Sequence, residues 1–351
     1  MKLHSSPARD GYVLMADFEH KATLILFPFR KDVWNNVKKA QKMHLAFIKS
    51  ISEYERVYVG VRKSEKGILD AIQNENIIVF ELPQDDAWIR DSGPLFVQKG
   101  NDIRMVKNGF NAWGGLYDSW DQDLKITETL SERFHCDYYE NDFILEGGNI
   151  TTDGKGTAII VSNCIINPNR NSCSRGEMEE LLKTGLGLKR IIWLDEGFVN
   201  DETGGHIDNV CRFLPDGSVV IAWTDDADHP MYVRCREIEG ALAEQASHLV
   251  IHKLVAPTAQ YRQAQESVVC KSAKKRLPKE LLTASYINYY ETDKAVFIPQ
   301  FGAEEDRVAE QQFKELFKDR NIVPLNVREY ILAGGGLHCL TLGVNFKEDL
   351  L

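Results

Sequence analysis

Apolar and polar residues alternate along this chain in a repeating order. Residues 22–29 form an apolar run ending in Phe27-Pro28-Phe29, the pattern of a strand buried on both faces. Over 33–51 the apolar residues Val33, Val37, Ala40, Leu45, Ile48 and Ile51 recur at roughly helical spacing, with Lys and Gln between them. Strand-like runs at 56–61 and 76–82 flank a short helical stretch at 65–73. Strands joined through a helix are usually parallel neighbours, so the opening reads as β-α-β-α-β.

The same vocabulary then recurs. A polar stretch leads into 85–97, with a second hairpin arm near 103–106, a loop at 111–115 and a helix over 121–134. Next come 146–150, a turn at Asp153-Gly154-Lys155-Gly156, a strand at 157–162, a helix at 174–184 and a strand at 189–194. A hairpin of 206–214 and 219–223 turns at Asp216-Gly217 and precedes a helix at 231–246 and a strand at 248–254. The last round pairs 285–290 with 295–299, then gives a helix at 304–318 and a strand at 321–325. The repeat has landmarks at Asp91, Glu146, His206, Tyr286 and His338, roughly 50–80 residues apart. It predicts an α/β chain, either of five similar units whose polar loops converge on one axis or an ordinary sheet whose alternation only looks repetitive. No Pro-, Gly- or Ser-rich linker divides the chain, so residues 1–351 read as a single domain, with 1–11 as a flexible polar arm.

Composition narrows the class of partner. The 351 residues are 43% hydrophobic and 27% charged, with a net charge of −10. That balance argues against a nucleic-acid ligand and mildly favours a cationic one. Seven cysteines, an odd number with no CxxC pair, show no disulfide framework and fit a reducing, cytoplasmic setting. The N-terminal stretch has no apolar leader core, and no apolar run approaches the ~20 residues that span a bilayer. A soluble cytoplasmic protein without membrane contact is expected.

Four stretches carry chemistry. In Gly334-Gly335-Gly336-Leu337-His338-Cys339-Leu340-Thr341 a cysteine follows a glycine turn, with a histidine beside it. A thiolate at a turn-to-strand junction is a nucleophile, and an imidazolium or a cationic substrate would stabilise it. In Gly204-Gly205-His206-Ile207-Asp208-Asn209, an imidazole and a carboxylate two residues apart face the same side if the segment is a strand. HxD without a third matching ligand is a poor metal signature, so no metal is expected there. Asp85-Asp86-Ala87-Trp88-Ile89-Arg90-Asp91 places carboxylates around an indole. A guanidinium wants both, carboxylates in its plane and an aromatic wall on its face. Glu146, ahead of Gly147-Gly148, accepts hydrogen bonds from such a cation or holds His206. The other cysteines and histidines read as packing or surface residues.

Taken together with Phe110-Asn111-Ala112-Trp113-Gly114-Gly115, Phe143 to Ile150 and Ala284-Ser285-Tyr286-Ile287-Asn288, these stretches run almost end to end in one order. In them the chain resembles the agmatine deiminases of the guanidine-modifying pentein superfamily, a bacterial-type peptidyl-arginine deiminase-like family. The resemblance implies a five-bladed pseudo-symmetric α/β propeller, the pentein fold. It also implies hydrolysis of agmatine, a small cationic guanidine, to N-carbamoylputrescine and ammonia without metal or organic cofactor, in a homo-oligomer. Cys339 then matches the nucleophile, His206 the general acid/base paired with Glu146, and Asp91 and Asp208 the guanidinium clamp. Trp88 and Trp113 match the walls, and Glu202 an acidic position that meets the distal amine. Three departures stand out. The segment between the glycines and His338-Cys339 is one residue short, the loop after Gly115 is several residues short, and Leu14-Met15-Ala16-Asp17-Phe18-Glu19 replaces a Met-Pro-Ala-Glu opening. The alternatives are deimination of another guanidine, such as arginine or peptidyl-arginine, amidino transfer by the same thiol chemistry, and a binding protein without catalysis.

Overall fold

A computed structural model of the chain describes residues 1–346 other than 70, 71 and 73. Among the described residues the strands fall into five small sheets. In chain order they are β1 (Val13–Leu14), β2 (Ala22–Leu26), β3 (Arg56–Val61), β4 (Ile77–Glu81), β5 (Leu95–Lys99), β6 (Asp102–Gly109), β7 (Tyr138–Ile144), β8 (Ile150–Thr152), β9 (Thr157–Val161), β10 (Arg190–Leu194), β11 (Cys211–Phe213), β12 (Val219–Trp223), β13 (Ile251–Val255), β14 (Tyr290–Glu291), β15 (Ala295–Gln300), β16 (Asn321–Asn326) and β17 (Thr341–Val344).

Each sheet contains an antiparallel pair followed by a helical crossover to a parallel third strand. The triplets are β5-β6-β7, β8-β9-β10, β11-β12-β13 and β14-β15-β16. Their crossover helices are Ile126–Phe134, Arg175–Leu186, Tyr232–Gln245 and Asp306–Leu316. The fifth triplet joins the two ends of the chain. β17 pairs antiparallel with β2, and β2 continues through the helix Val37–Ser52 to parallel β3. The C-terminal strand thus closes the ring of five expected from the repeat. β1 and β4 extend two of the sheets at their edges.

The crossover helices bury one apolar stripe each, as their spacing requires. In Asp306–Leu316 the inward residues include Ala309 and Phe313; in Val37–Ser52 they are Ala40, His44, Phe47, Ile48 and Ile51. Helices also meet the last strand of the preceding unit, Arg175–Leu186 against β7, Tyr232–Gln245 against β10 and Asp306–Leu316 against β13. Neighbouring units are therefore wedged together by apolar contacts instead of being strung on linkers.

Residues 1–11, expected as a flexible arm, lie against the body. Leu3 N donates to the Tyr138 carbonyl, the terminal amine pairs with Asp137 at 2.8 Å, and Ser6 caps the short helix Pro7–Asp10. The helix expected over 65–73 is present as Lys66–Leu69; residues 70, 71 and 73 lie outside the described residues. No described helix is long and apolar enough to cross a membrane.

Candidate active site

The site residues share one address in the repeat. Asp91 precedes β5, Glu146 precedes β8, His206 and Asp208 precede β11, Asn288 precedes β14 and Cys339 precedes β17. Each unit delivers a polar group from the segment just ahead of its first strand. The sequence landmark Tyr286 donates instead to Asp306, at 2.6 Å; Asn288, two residues on, supplies this unit's contribution.

Cys339 follows the helix Arg328–Ala333, which ends at Gly334 with φ 108°, a left-handed cap that favours glycine. The segment after it is tied down at Asn288. The Asn288 carboxamide accepts from His338 N–H at 3.0 Å, donates to Asn209 Oδ1 at 3.0 Å and donates toward Cys339 Sγ at 3.2 Å. The thiol lies 3.6 Å from Asp208 Oδ2 and is 6% exposed. Burial, with Asp208 and Asp91 adding to it, pushes the Cys339 thiol well above its ordinary value. The ring of His338 does not serve this thiol. Its Nδ1 faces Asp208 Oδ2 at 2.8 Å and its Nε2 faces Asp17 Oδ2 at 2.9 Å, and Asp17 also pairs with Arg90 at 2.8 Å. Burial opposes the Asp208 carboxylate, but His338, His206 and Arg90 outweigh it and hold its pKa below the usual range.

Asp91 is oriented by two donors, Gly148 N–H to Oδ1 at 2.8 Å and the Trp113 indole N–H to Oδ2 at 2.9 Å. Any side chain at Gly148 would have its Cβ 2.5 Å from His206 Nδ1 and 2.7 Å from Asp91 Oδ1, so only glycine lets these groups meet. Trp113 reaches Asp91 from an unusual backbone. The 112–115 turn runs through four positive φ values, 51°, 55°, 82° and 89°, and a left-handed conformation costs a residue with a Cβ about 1–2 kcal/mol. Burial pushes the Asp91 carboxyl up, and Asp208 and Glu146 add to it against His206 and the Gly148 N–H.

His206 and Asp208 do not lie on a strand. His206 precedes a 3-10 turn, Ile207–Asn209, because the buried Asp201 carboxylate accepts from both His206 N–H and Asn209 Nδ2 at 3.2 Å. The turn, not strand alternation, brings both into the site. His206 Nδ1 lies 3.7 Å from Asp91 Oδ1 and Nε2 lies 3.9 Å from Glu146 Oε2. Burial works against the imidazolium, but Asp91, Cys164 and Glu146 outweigh it and hold His206 well above its ordinary value.

Glu146 is fully buried, and its other oxygen accepts from Arg170 Nε at 2.7 Å. Burial alone would push Glu146 up; His206 and Arg170 overcome it and hold it down. Arg170, Asn288 and Asp17 are the residues that sequence reasoning assigned no role. Asn288 stood inside a matched stretch, whereas Asp17 stood in a departure from the family pattern and Arg170 carried no spacing signal.

Trp88 and Trp113 line a tight pocket of about 10 Å³ together with Asp91, Tyr117, Glu202, Thr203 and Cys339. Trp88 is fixed by a 2.9 Å bond to Asp86 and by stacking on Trp34, 5.1 Å between centroids. Asp86 is thereby spent on two indoles, and Asp85 accepts from Gln122 N–H; neither takes part in a clamp. Glu202 borders this pocket and a wider outer basin that also holds Arg262, Lys274 and Lys279. Its Oε1 accepts from the buried Arg276 at 2.6 Å, and its Oε2 lies 4.0 Å from Lys274. The loop after Gly115 is paired to this same segment, through Asp118 N–H to Ser272 O and Lys274 N–H to Leu116 O.

The arrangement joins a thiol, an imidazole with carboxylate partners, two further carboxylates and an aromatic slot, the groups needed to hold a planar cation and attack its central carbon. Residues 14–344 match the family model for Porphyromonas-type peptidyl-arginine deiminase. An agmatine deiminase of Stutzerimonas stutzeri (strain A1501) is 37% identical over 356 residues, with 97% of each chain covered. One from Pseudomonas aeruginosa (strain LESB58) is 37% identical over 358 residues, covering 96% of each. The agmatine deiminase structure from Enterococcus faecalis superposes with a TM-score of 0.91 at 32% identity, over 97% of each chain. Across nearly its whole length, then, the chain belongs to the Porphyromonas-type peptidyl-arginine deiminase family.

Proposed function

We propose that the chain hydrolyses agmatine to N-carbamoylputrescine and ammonia through a covalent adduct on Cys339. The observation that carries this reading is the placement of the Cys339 thiol 3.6 Å from Asp208, at a pocket that also presents Asp91, Trp88 and Trp113. Asp91 and Asp208 accept hydrogen bonds from the guanidinium, with charge-assisted geometry, while the indoles wall its faces. The bound cation offsets the two carboxylates that raise the thiol, so the thiol gives up its proton to solvent water when substrate enters. The thiolate then forms a bond to the guanidinium carbon. His206, as the imidazolium, gives its proton to one departing nitrogen, the C–N bond breaks and ammonia leaves behind a thiouronium. Neutral His206 takes a proton from water, whose oxygen attacks the same carbon. The C–S bond breaks, the hydroxyl proton passes to the released ammonia or to solvent, and the neutral ureido product leaves with the thiolate and the His206 imidazolium restored. Glu146, held by Arg170, keeps His206 in place and stabilises its charged form.

Glu202 Oε2 is offered to the distal ammonium of agmatine. A second reading is favoured by one observation: Arg276 and Lys274 stand at the same carboxylate. A cationic cluster there suits a guanidine whose far end bears a carboxylate, such as arginine. Ammonia release with agmatine, arginine and a peptidyl-arginine ester, assayed side by side, tests both. Agmatine turned over fastest supports the first reading. Arginine fastest moves the substrate to the second. No ammonia from any guanidine overturns deimination.

A further inference from the structure

Beside His206 lies a buried thiol that the reaction above does not use. Cys164 sits on the short helix Ser162–Ile165 that follows β9, and its Sγ lies 3.5 Å from the Thr203 carbonyl. The Cys164 sulfur, a ring nitrogen of His206 and a carboxylate oxygen of Glu146 all lie within 4.8 Å of one another, and all three residues are buried. Among the described residues, neither ring nitrogen of His206 nor Glu146 Oε2 has a hydrogen-bond partner. Buried polar atoms nearly always find one. Here one His206 ring nitrogen and one Glu146 carboxylate oxygen stand within 4.8 Å of the same thiol.

We propose that Cys164, His206 and Glu146 form a binding site for Zn²⁺, and that an ion held there switches the enzyme off reversibly. Thiolate, imidazole and carboxylate are the ligand types zinc prefers, at about 2.0–2.3 Å each. Tetrahedral ligands at those lengths stand roughly 3.4–3.8 Å apart, so the trio closes on an ion with side-chain shifts of about 1 Å. Arg170 occupies Glu146 Oε1 and leaves Oε2 for the metal. Asp91 Oδ1, 3.7 Å from His206, adds negative charge that a divalent cation relieves. Binding exchanges protons for metal without redox change: Cys164 releases its thiol proton, the His206 imidazolium releases one proton, and water completes the fourth position. The inhibitory consequence rests on the reading of His206 as the proton carrier, since a metallated imidazole can neither give nor take a proton at that nitrogen; the binding itself does not rest on it.

The test uses Co²⁺ as a spectroscopic probe on the chelator-treated full chain, because a thiolate ligand gives cobalt a near-ultraviolet charge-transfer band. The band is expected in wild type and in Cys339→Ala, at one Co²⁺ per chain, and Zn²⁺ should displace it. Cys164→Ala and Cys164→Ser, each checked for native unfolding, should lack it and bind Co²⁺ far more weakly, since each removes the thiolate ligand outright. In the wild type Zn²⁺ should suppress ammonia release and a chelator should restore it, with both Cys164 variants correspondingly less sensitive. A band lost in Cys339→Ala but kept in the Cys164 variants would assign the metal to the nucleophile and overturn the proposal. So would the absence of any band. The cobalt titration needs no turnover, so it decides the site even where the substrate reading fails.

Discussion

Trp113 donates its indole N–H to Asp91 Oδ2 at 2.9 Å from a backbone held at φ 55°, ψ 40°. A bulky residue tolerates that conformation only where its surroundings over-determine it, and such positions cluster at functional sites. Phe110 and Tyr117 pack edge-on against the same ring, at 5.1 and 5.3 Å between centroids. The strained turn therefore aims one hydrogen bond at the carboxylate proposed to grip the substrate. Trp113→Phe should keep the wall and lose the bond. A hydrogen bond to a charged group is worth about 1.5–3 kcal/mol, so kcat/KM should fall by roughly 10–150-fold. An unchanged value would mean that Asp91 needs no orientation from this side.

The clamp can be tested at each carboxylate. Asp91→Asn and Asp208→Asn each replace a charged acceptor by a neutral one, and each should lower kcat/KM by at least about tenfold. The two should differ in stability. Asp208 also holds His338 at 2.8 Å, so Asp208→Asn should lower the urea midpoint more than Asp91→Asn does. Steady-state kinetics and equilibrium unfolding on the two variants decide this.

Cys339 gives a pH prediction whose sign follows from its surroundings. Burial, Asp208 and Asp91 raise its thiol, so the free enzyme at neutral pH carries the protonated, unreactive form. Alkylation by a neutral haloacetamide should be slow at pH 7 and climb steadily above pH 9. A cationic haloamidine of similar size brings its own positive charge to the carboxylates and should react much faster at neutral pH. Asp208→Asn should speed the neutral reagent and slow the cationic one. Equal rates for both reagents would contradict substrate-assisted activation.

Asp17 links the N-terminal segment to the Cys339 loop through His338, Arg90 and Arg212. Burial opposes its charge, but Arg90, His338 and Arg212 hold its pKa well below the usual carboxylate range. A depressed carboxyl contributes stability that is fully present above its unfolded value, about pH 3.9, and is lost as pH falls toward the folded value. Asp17→Asn should therefore destabilise at pH 7 by about 2–4 kcal/mol, and the gap from wild type should shrink below pH 4. A gap independent of pH would place the effect in packing instead.

The five-unit plan was legible because each unit repeats the same switch from alternating strands to a helical stripe, as in 295–299 followed by 304–318. The closure of the ring was not, because β17 and β2 lie at opposite ends of the chain and pair only through tertiary contact. Cys339, His206, Asp208, Asp91 and Glu146 were legible as chemistry, since each stands beside glycines or a strand boundary. The strand assigned to 206–208 failed for a local reason: Asp201, five residues upstream, takes the hydrogen bonds that turn the backbone. Arg170 was hidden because its partner Glu146 lies 24 residues away in another loop. Glu202 was matched to an acidic position that meets a distal amine, and only the folded chain reveals that Arg276, 74 residues on, shares it.

The most direct test of the covalent mechanism is acid-quenched mass spectrometry of the enzyme during turnover of agmatine. The peptide carrying Cys339 should gain the mass of agmatine less ammonia, the gain should vanish as substrate is exhausted, and Cys339→Ala should show neither adduct nor ammonia release. Ammonia release by Cys339→Ala at near the wild-type rate, or turnover with no adduct on Cys339 at any quench time in conditions where the peptide is fully recovered, would contradict the account.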